Sequence, residues 1–143
     1  MMKDEGQGMK TSILLKSISI SAVTLLAFSV SIPAQAPQMG LLESLQKGEW
    51  TLKPRGAVNG SKKVCIGDPT VLLQIQHSGS SCSRYVIQDT PNNLRVSYKC
   101  SSTDHGVTTI KRESSGLIQV QSQGIEANAP FSFTMEGRRT GSC

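Results

Sequence analysis

Residues 82–100 read CSRYVIQDTPNNLRVSYKC, and the fold follows from how that stretch alternates. Leu94, Val96, Tyr98 and Cys100 fall on one side of an extended chain, while Arg95, Ser97 and Lys99 fall on the other. That period of two belongs to a strand with one buried and one wet face. Thr90-Pro91-Asn92-Asn93 interrupts it with turn formers: proline presets φ, and asparagine bonds its own backbone and tolerates left-handed conformations. The stretch therefore predicts a β-hairpin with a cysteine at either end. If Gln88 pairs with Leu94 across the turn, Cys82 faces Cys100 on the side of Val86, Val96 and Leu94. Opposed residues in a non-hydrogen-bonded antiparallel pair have Cα atoms ~4.5 Å apart, a separation that a disulfide accepts.

The same alternation extends downstream. Val107–Glu113 and Leu117–Gln123 predict a second hairpin about Ser114-Ser115-Gly116, threonine-rich and expected to be the more exposed of the two. A last strand turns Phe131, Phe133 and Met135 inward and Ser132, Thr134 and Glu136 outward, before a tail Gly137–Cys143. Upstream, Leu41, Leu42 and Leu45 predict a two-turn amphipathic helix closed by Gly48. Glu49–Lys53 then alternates up to Pro54, a first strand that holds the only tryptophan, Trp50. Lys63–Ile66 reads as a second strand, and Asp68-Pro69 as an N-cap with proline in the first helical turn, burying Val71, Leu72 and Ile75. The expected fold is mainly β, a small antiparallel meander or a partly closed barrel or sandwich of about six to seven strands, with one or two short helices.

The first third of the chain has a different character. Basic Lys10 and Lys16, an apolar stretch Ile18–Val30 and the small-residue motif Ala34-Gln35-Ala36 follow the order of a secretory signal peptide over residues 1–36. Asp4 and Glu5 sit where such a segment is normally basic, so the expected start is Met9. Pro37 would be the first mature residue, and its fixed ring hinders cleavage, which leaves a retained membrane anchor as the alternative. Residues 37–143 are expected to form one exported domain, periplasmic or secreted. Beyond residue 36, twelve lysines and arginines face eight acidic residues, a net charge of +4. Outside the cell that mild excess meets anionic lipid, wall polymers or acidic proteins, not nucleic acid.

Four cysteines in a small exported chain read as two disulfides, because an oxidising compartment closes thiols and small cores need cross-links. Metal binding is disfavoured: the cysteines do not form the closely spaced pairs that zinc requires, and there is no C-x-x-C. Three connectivities are open to four cysteines. The hairpin register selects Cys82 with Cys100, leaving Cys65 for Cys143.

Several stretches resemble a Gram-negative family of small exported proteins known as domain-of-unknown-function family 3617. The likeness rests on Gly48-Glu49-Trp50, on Val64-Cys65-Ile66-Gly67-Asp68-Pro69, on Cys82 and Cys100 flanking a hairpin, and on Gly137-Arg138-Arg139-Thr140-Gly141-Ser142-Cys143. It implies a signal-bearing, β-rich, disulfide-containing domain, and it brings no activity and no catalytic residue with it.

The residues that could carry chemistry are few. His77 and His105 lie in polar, glycine-flanked segments that read as exposed loops, and the chain has no G-x-S-x-G and no phosphate-binding glycine pattern. Asp104 beside His105 lacks the spacing of a metal site. Glu113, Glu126 and Glu136 read as solvated strand ends, and Arg138-Arg139 as solvated arginines in a terminal turn, with an anion grip as the alternative. No catalytic, cofactor-binding or metal-binding residue is assigned, and no cofactor is expected. The expected role is a non-catalytic binding or envelope-associated domain whose partner is an apolar small molecule, an envelope polymer or a protein. The competing expectation is a hydrolase whose site has no local motif.

Overall fold

The computed structural model describes residues 38–56 and 59–143. The expected signal peptide over residues 1–36, the expected start at Met9 and the expected first mature residue Pro37 lie outside the described residues. Seven strands, β1 (Gly48–Pro54), β2 (Lys62–Ile66), β3 (Ser83–Thr90), β4 (Asn93–Lys99), β5 (His105–Ser114), β6 (Leu117–Glu126) and β7 (Ala129–Gly141), form a single sheet. A one-turn helix α1 (Gly40–Glu43) precedes β1, and a 3-10 helix (Pro69–Gln74) lies between β2 and β3. The strand order is β2-β1-β7-β6-β5-β4-β3, with every neighbouring pair antiparallel. β2 and β3 are free edges, so the meander is the form adopted and the sheet does not close into a barrel. The chain leaves β2 at one edge and crosses one face as the 3-10 helix before entering β3 at the other edge. Among the described residues, only that face is covered.

Covering one face decides where the core lies. Trp50 and Leu52 of β1, Leu94 and Val96 of β4, Ile110 of β5, and Ile118 and Val120 of β6 meet Leu41, Leu42 and Leu45 from the α1 segment and Leu72 and Leu73 from the crossover. The Trp50 indole is fully buried and donates from Nε1 to the Gln46 carbonyl at 2.9 Å, so its one polar atom is satisfied. Gly48 (φ +137°) lets the β7 backbone pass close, since a Cβ there would collide with the Gly141 carbonyl oxygen.

The hairpin differs from its predicted register in an instructive way. Ile87 is an extra residue, a β-bulge, so Gln88 faces Arg95 and Asp89 faces Leu94. The turn is also tighter than the predicted pairing requires, with Thr90 directly opposite Asn93. The two departures cancel beyond the bulge, where Val86 faces Val96 and Ser83 faces Lys99. Cys82 and Cys100 are therefore bonded, with Cα atoms 4.0 Å apart, and Cys65 is bonded to Cys143 at 5.7 Å. The bulge also swings Asp89 onto the covered side, where it accepts hydrogen bonds from the N–H groups of Gly40 (2.8 Å) and Leu41 (3.4 Å), capping a helix too short to be stable alone.

Three further expectations are corrected. The crossover helix follows a three-residue turn, so Val71 and Ile75 lie ~120° apart around its axis instead of sharing one face. Leu72, Leu73 and Gln74 are buried and Val71 is 50% exposed. β5 and β6 are central, not peripheral: their hydroxyl residues Thr108 and Ser122 are buried beside Ile110, Ile118 and Val120. The Gly137–Cys143 tail is no terminal turn, because β7 runs through Arg138 and Arg139 as far as Gly141.

Both disulfides form and no cysteine is free, which indicates an oxidising, non-cytoplasmic setting. Among the described residues no helix is long and apolar enough to cross a membrane.

Candidate functional site

Among the described residues two regions hold side chains that could carry function: a buried polar cluster beneath the crossover, and the face of the sheet that no described element covers. The cluster begins with Thr108, whose position on β5 is opposite Ser122 on β6. The Thr108 hydroxyl donates to the Leu73 carbonyl of the crossover at 2.6 Å, and its oxygen lies 2.8 Å from Ser122 Oγ. Since the single Thr108 proton is committed to Leu73, Ser122 is the donor of that pair. Gln74 donates from Nε2 to the Ser80 carbonyl (2.7 Å) and accepts from Arg84 Nη2 (2.7 Å), tying the crossover to its own exit and to β3.

His77 completes the cluster, and the exposed-loop reading fails for it. The residue is 5% exposed, Nδ1 lies 3.2 Å from the Tyr98 hydroxyl, and the ring meets Tyr98 and Phe131 edge-on at 5.5 and 5.6 Å. Its Nε2 is buried with no hydrogen-bond partner among the described residues. Tyr98 reaches this place because its β5 neighbour is a glycine: a Cβ on Gly106 would lie 2.6 Å from the Tyr98 oxygen. Gly106 in turn faces Gly124, where a Cβ would strike the His105 backbone. Burial pushes the Tyr98 phenol up, the nearby Ser122 hydroxyl pulls it down, and the negative charge of Glu126 adds to the rise.

Chemically this cluster is a pin. A hydrolytic triad needs an accessible nucleophile bonded to an imidazole that an acid orients. Here Ser122 is 1% exposed and bonded to a threonine, and His77 is bonded to a tyrosine. The nearby carboxylate of Asp104 is spent on the Ala127 N–H at 2.9 Å, a bond that holds it below the usual carboxylate range, with the Ser101 and Thr103 bonds and the His77 charge acting in the same direction against desolvation. His105 is exposed, as read from the sequence, but it is the first residue of β5 and not part of a loop. Among the described residues no group of three or more His, Cys, Asp or Glu is placed to hold a metal ion.

The uncovered face is built differently. By register it presents Lys63, Lys53, Arg138, Lys111, Arg95 and Lys99, with Arg55 just past the end of β1. Its acids are Glu49, Glu113 and Glu136, of which Glu49 pairs with Lys63 at 3.0 Å and Glu136 with Arg138 at 3.4 Å. Seven cations against three acids account for the whole +4 excess of residues 37–143. The remaining charges, on the covered side and along the edges, balance at five and five. Arg138 and Arg139 thus serve opposite faces. Arg139 donates from Nε to the Lys47 carbonyl at 2.9 Å, closing the α1 segment onto β7, while Arg138 stands on the open side.

Nothing matches the chain: no family model, no curated protein and no solved structure.

Two depressions bear on binding. A cup of about 360 Å³ on the uncovered face is lined by Arg55 and Lys111, by Asn93, Gln119 and Gln121, by the hydroxyls of Thr109 and Thr134, and by one carboxylate, Glu113. An open groove of about 690 Å³ runs between α1 and the crossover, lined by Met39, Leu42 and Leu45 together with Lys47, Asp68 and Arg84. Neither depression has a sequence motif. The cup was hidden because its residues come from four strands, and His77 because its glycine and serine neighbours imitate a loop while the tyrosine that receives it is 21 residues away.

Proposed function

We propose that this chain is an exported protein of the Gram-negative periplasm with a non-catalytic binding or envelope-associated role, and that the uncovered sheet face is its contact surface. The observation that carries this reading is the segregation of charge: the whole basic excess of residues 37–143 stands on the face that no helix of the described residues covers. The occupation of the buried hydroxyl and imidazole groups by structural bonds supports the non-catalytic part. The signal-like residues 1–36 and the two disulfides support export, and the residues quoted above support membership of family 3617.

The test is co-sedimentation of the purified, oxidised domain with isolated bacterial envelopes. Wild type is expected in the pellet at low salt and in the supernatant at high salt, because exposed charges are screened. An Arg95→Glu, Lys111→Glu variant should stay in the supernatant at all salt concentrations. Equal pelleting of that variant and wild type, or no pelleting of wild type, overturns the reading.

A further inference from the structure

We propose that the uncovered face binds an anionic polysaccharide, a polymer that carries carboxylates among hydroxyls, laid across the strands over the cup of Arg55, Lys111, Gln119 and Gln121. The proposal rests on the binding role given above and names the ligand class. Adjacent rows of the sheet supply its parts. One row runs Arg95, Thr109, Gln121, Thr134 across β4, β5, β6 and β7, with each residue directly opposite the next. Its far end meets Arg55, whose backbone N–H donates to the Thr134 carbonyl at 2.9 Å. The row is thus hydroxyl, amide, hydroxyl between two guanidinium groups. The next row runs Asn93, Lys111, Gln119, Glu136, Lys53 across β4, β5, β6, β7 and β1, so its one acid stands between the amide and a second lysine.

Strand spacing suits such a polymer. Neighbouring strands lie ~4.8 Å apart, close to the length of one pyranose unit along an extended chain, so successive sugars meet successive strands. Amides and hydroxyls both donate and accept, which matches sugar hydroxyls; the flanking arginines match carboxylates in a planar, two-pronged way. Gln119 donates from Nε2 to Glu136 at 3.5 Å, and its Oε1 is buried with no partner among the described residues. The cations that would face the polymer are not already spent, since Lys53, Arg55, Arg95, Lys99 and Lys111 form no salt bridge among the described residues. A lipid surface fits these two rows less well, because they present no apolar side chain to insert between acyl chains; the apolar side chains of the same face, Tyr85, Val107 and Leu117, stand on other rows.

Binding of the oxidised domain to alginate, dextran, poly-glutamate and vesicles containing one quarter anionic lipid tests the proposal by calorimetry or biolayer interferometry. Alginate is expected to bind and dextran not. Poly-glutamate, which has the charge without the hydroxyls, should bind at least tenfold more weakly than alginate. An Arg55→Gln, Lys111→Gln variant should lose at least tenfold toward alginate, and Gln121→Ala severalfold, with unchanged unfolding midpoints. No alginate binding overturns the ligand class, as does equal or tighter binding to poly-glutamate or to vesicles. If wild type still pellets with envelopes in that case, the broader binding role stands and only the ligand class falls.

Discussion

Replacing Thr108 by valine keeps the shape of the side chain and removes one oxygen from the centre of the polar pin. The lost hydroxyl donates to Leu73 and accepts from Ser122, at 2.6 and 2.8 Å, in a position that is 0% exposed. Each such bond contributes a net ~1 kcal/mol, and each buried partner left unpaired costs ~1–3 kcal/mol. The Leu73 carbonyl and the Ser122 hydroxyl are both stranded, so Thr108→Val is expected to lose about 2–4 kcal/mol. Ser122→Ala leaves Thr108 bonded to Leu73 and should cost about 1–2 kcal/mol. The double variant should cost less than the sum by about 1 kcal/mol, because the serine hydroxyl that the first change strands is no longer there. Urea unfolding followed by Trp50 fluorescence measures all three, since the indole is buried and is the only one in the chain; equal m-values confirm that stability alone has changed. A Thr108→Val protein within about 0.5 kcal/mol of wild type, or strictly additive losses, would refute the pin.

Other outcomes follow from the same geometry. Thiol titration of oxidised protein should find no free cysteine, and peptide mapping should link Cys65 to Cys143 and Cys82 to Cys100; serine replacement should cost about 4 kcal/mol for the first bridge and about 3 for the second, following their loop lengths of 78 and 18 residues. Gly106→Ala should push Tyr98 out of its seat and lower the melting temperature by several degrees; a neutral Gly106→Ala would remove the close-approach argument. Asp104, Asp68 and Glu49 all have carboxyls held below their ordinary values, each chiefly by a hydrogen bond, from Ala127, Thr70 and Lys63 respectively. A carboxyl whose folded value is depressed contributes stability above its unfolded value and loses it as pH falls through the folded one. Stability should therefore decline on acidification below about pH 4, and Asp104→Asn should flatten that decline in urea titrations at successive pH values.

The strands were legible where one face is apolar and the other is wet. Leu94, Val96 and Tyr98 alternate with Arg95, Ser97 and Lys99, and all three apolar residues are buried. The bridges were legible because a hairpin places its ends together even when a bulge and a shorter turn displace its middle. The central strands misled for the opposite reason. Thr108 and Ser122 look solvated in sequence, and only their placement opposite each other, with the Leu73 carbonyl within reach, makes two hydroxyls acceptable inside a core. The crossover misled through its period, since a 3-10 turn and an α turn share a proline-led start and diverge only at the third or fourth residue. The basic face was unreadable as a patch, because its cations are scattered from Lys53 to Arg138 and gather only once the sheet is assembled.

The strand order also sets a timetable. β1 is the earliest strand in the chain, yet the neighbour that fixes it in the sheet, β7, is the last. A chain delivered from its N-terminus therefore holds β1 and β2 as a lone two-stranded ribbon until β7 arrives, and such ribbons are marginal by themselves. Throughout that wait the partner of Cys65 is missing, while Cys82 emerges long before Cys143. The first two thiols to emerge, Cys65 and Cys82, are thus a mismatched pair. Maturation of this small domain should depend on a thiol–disulfide isomerase that releases a premature Cys65–Cys82 bond, and not merely on an oxidase.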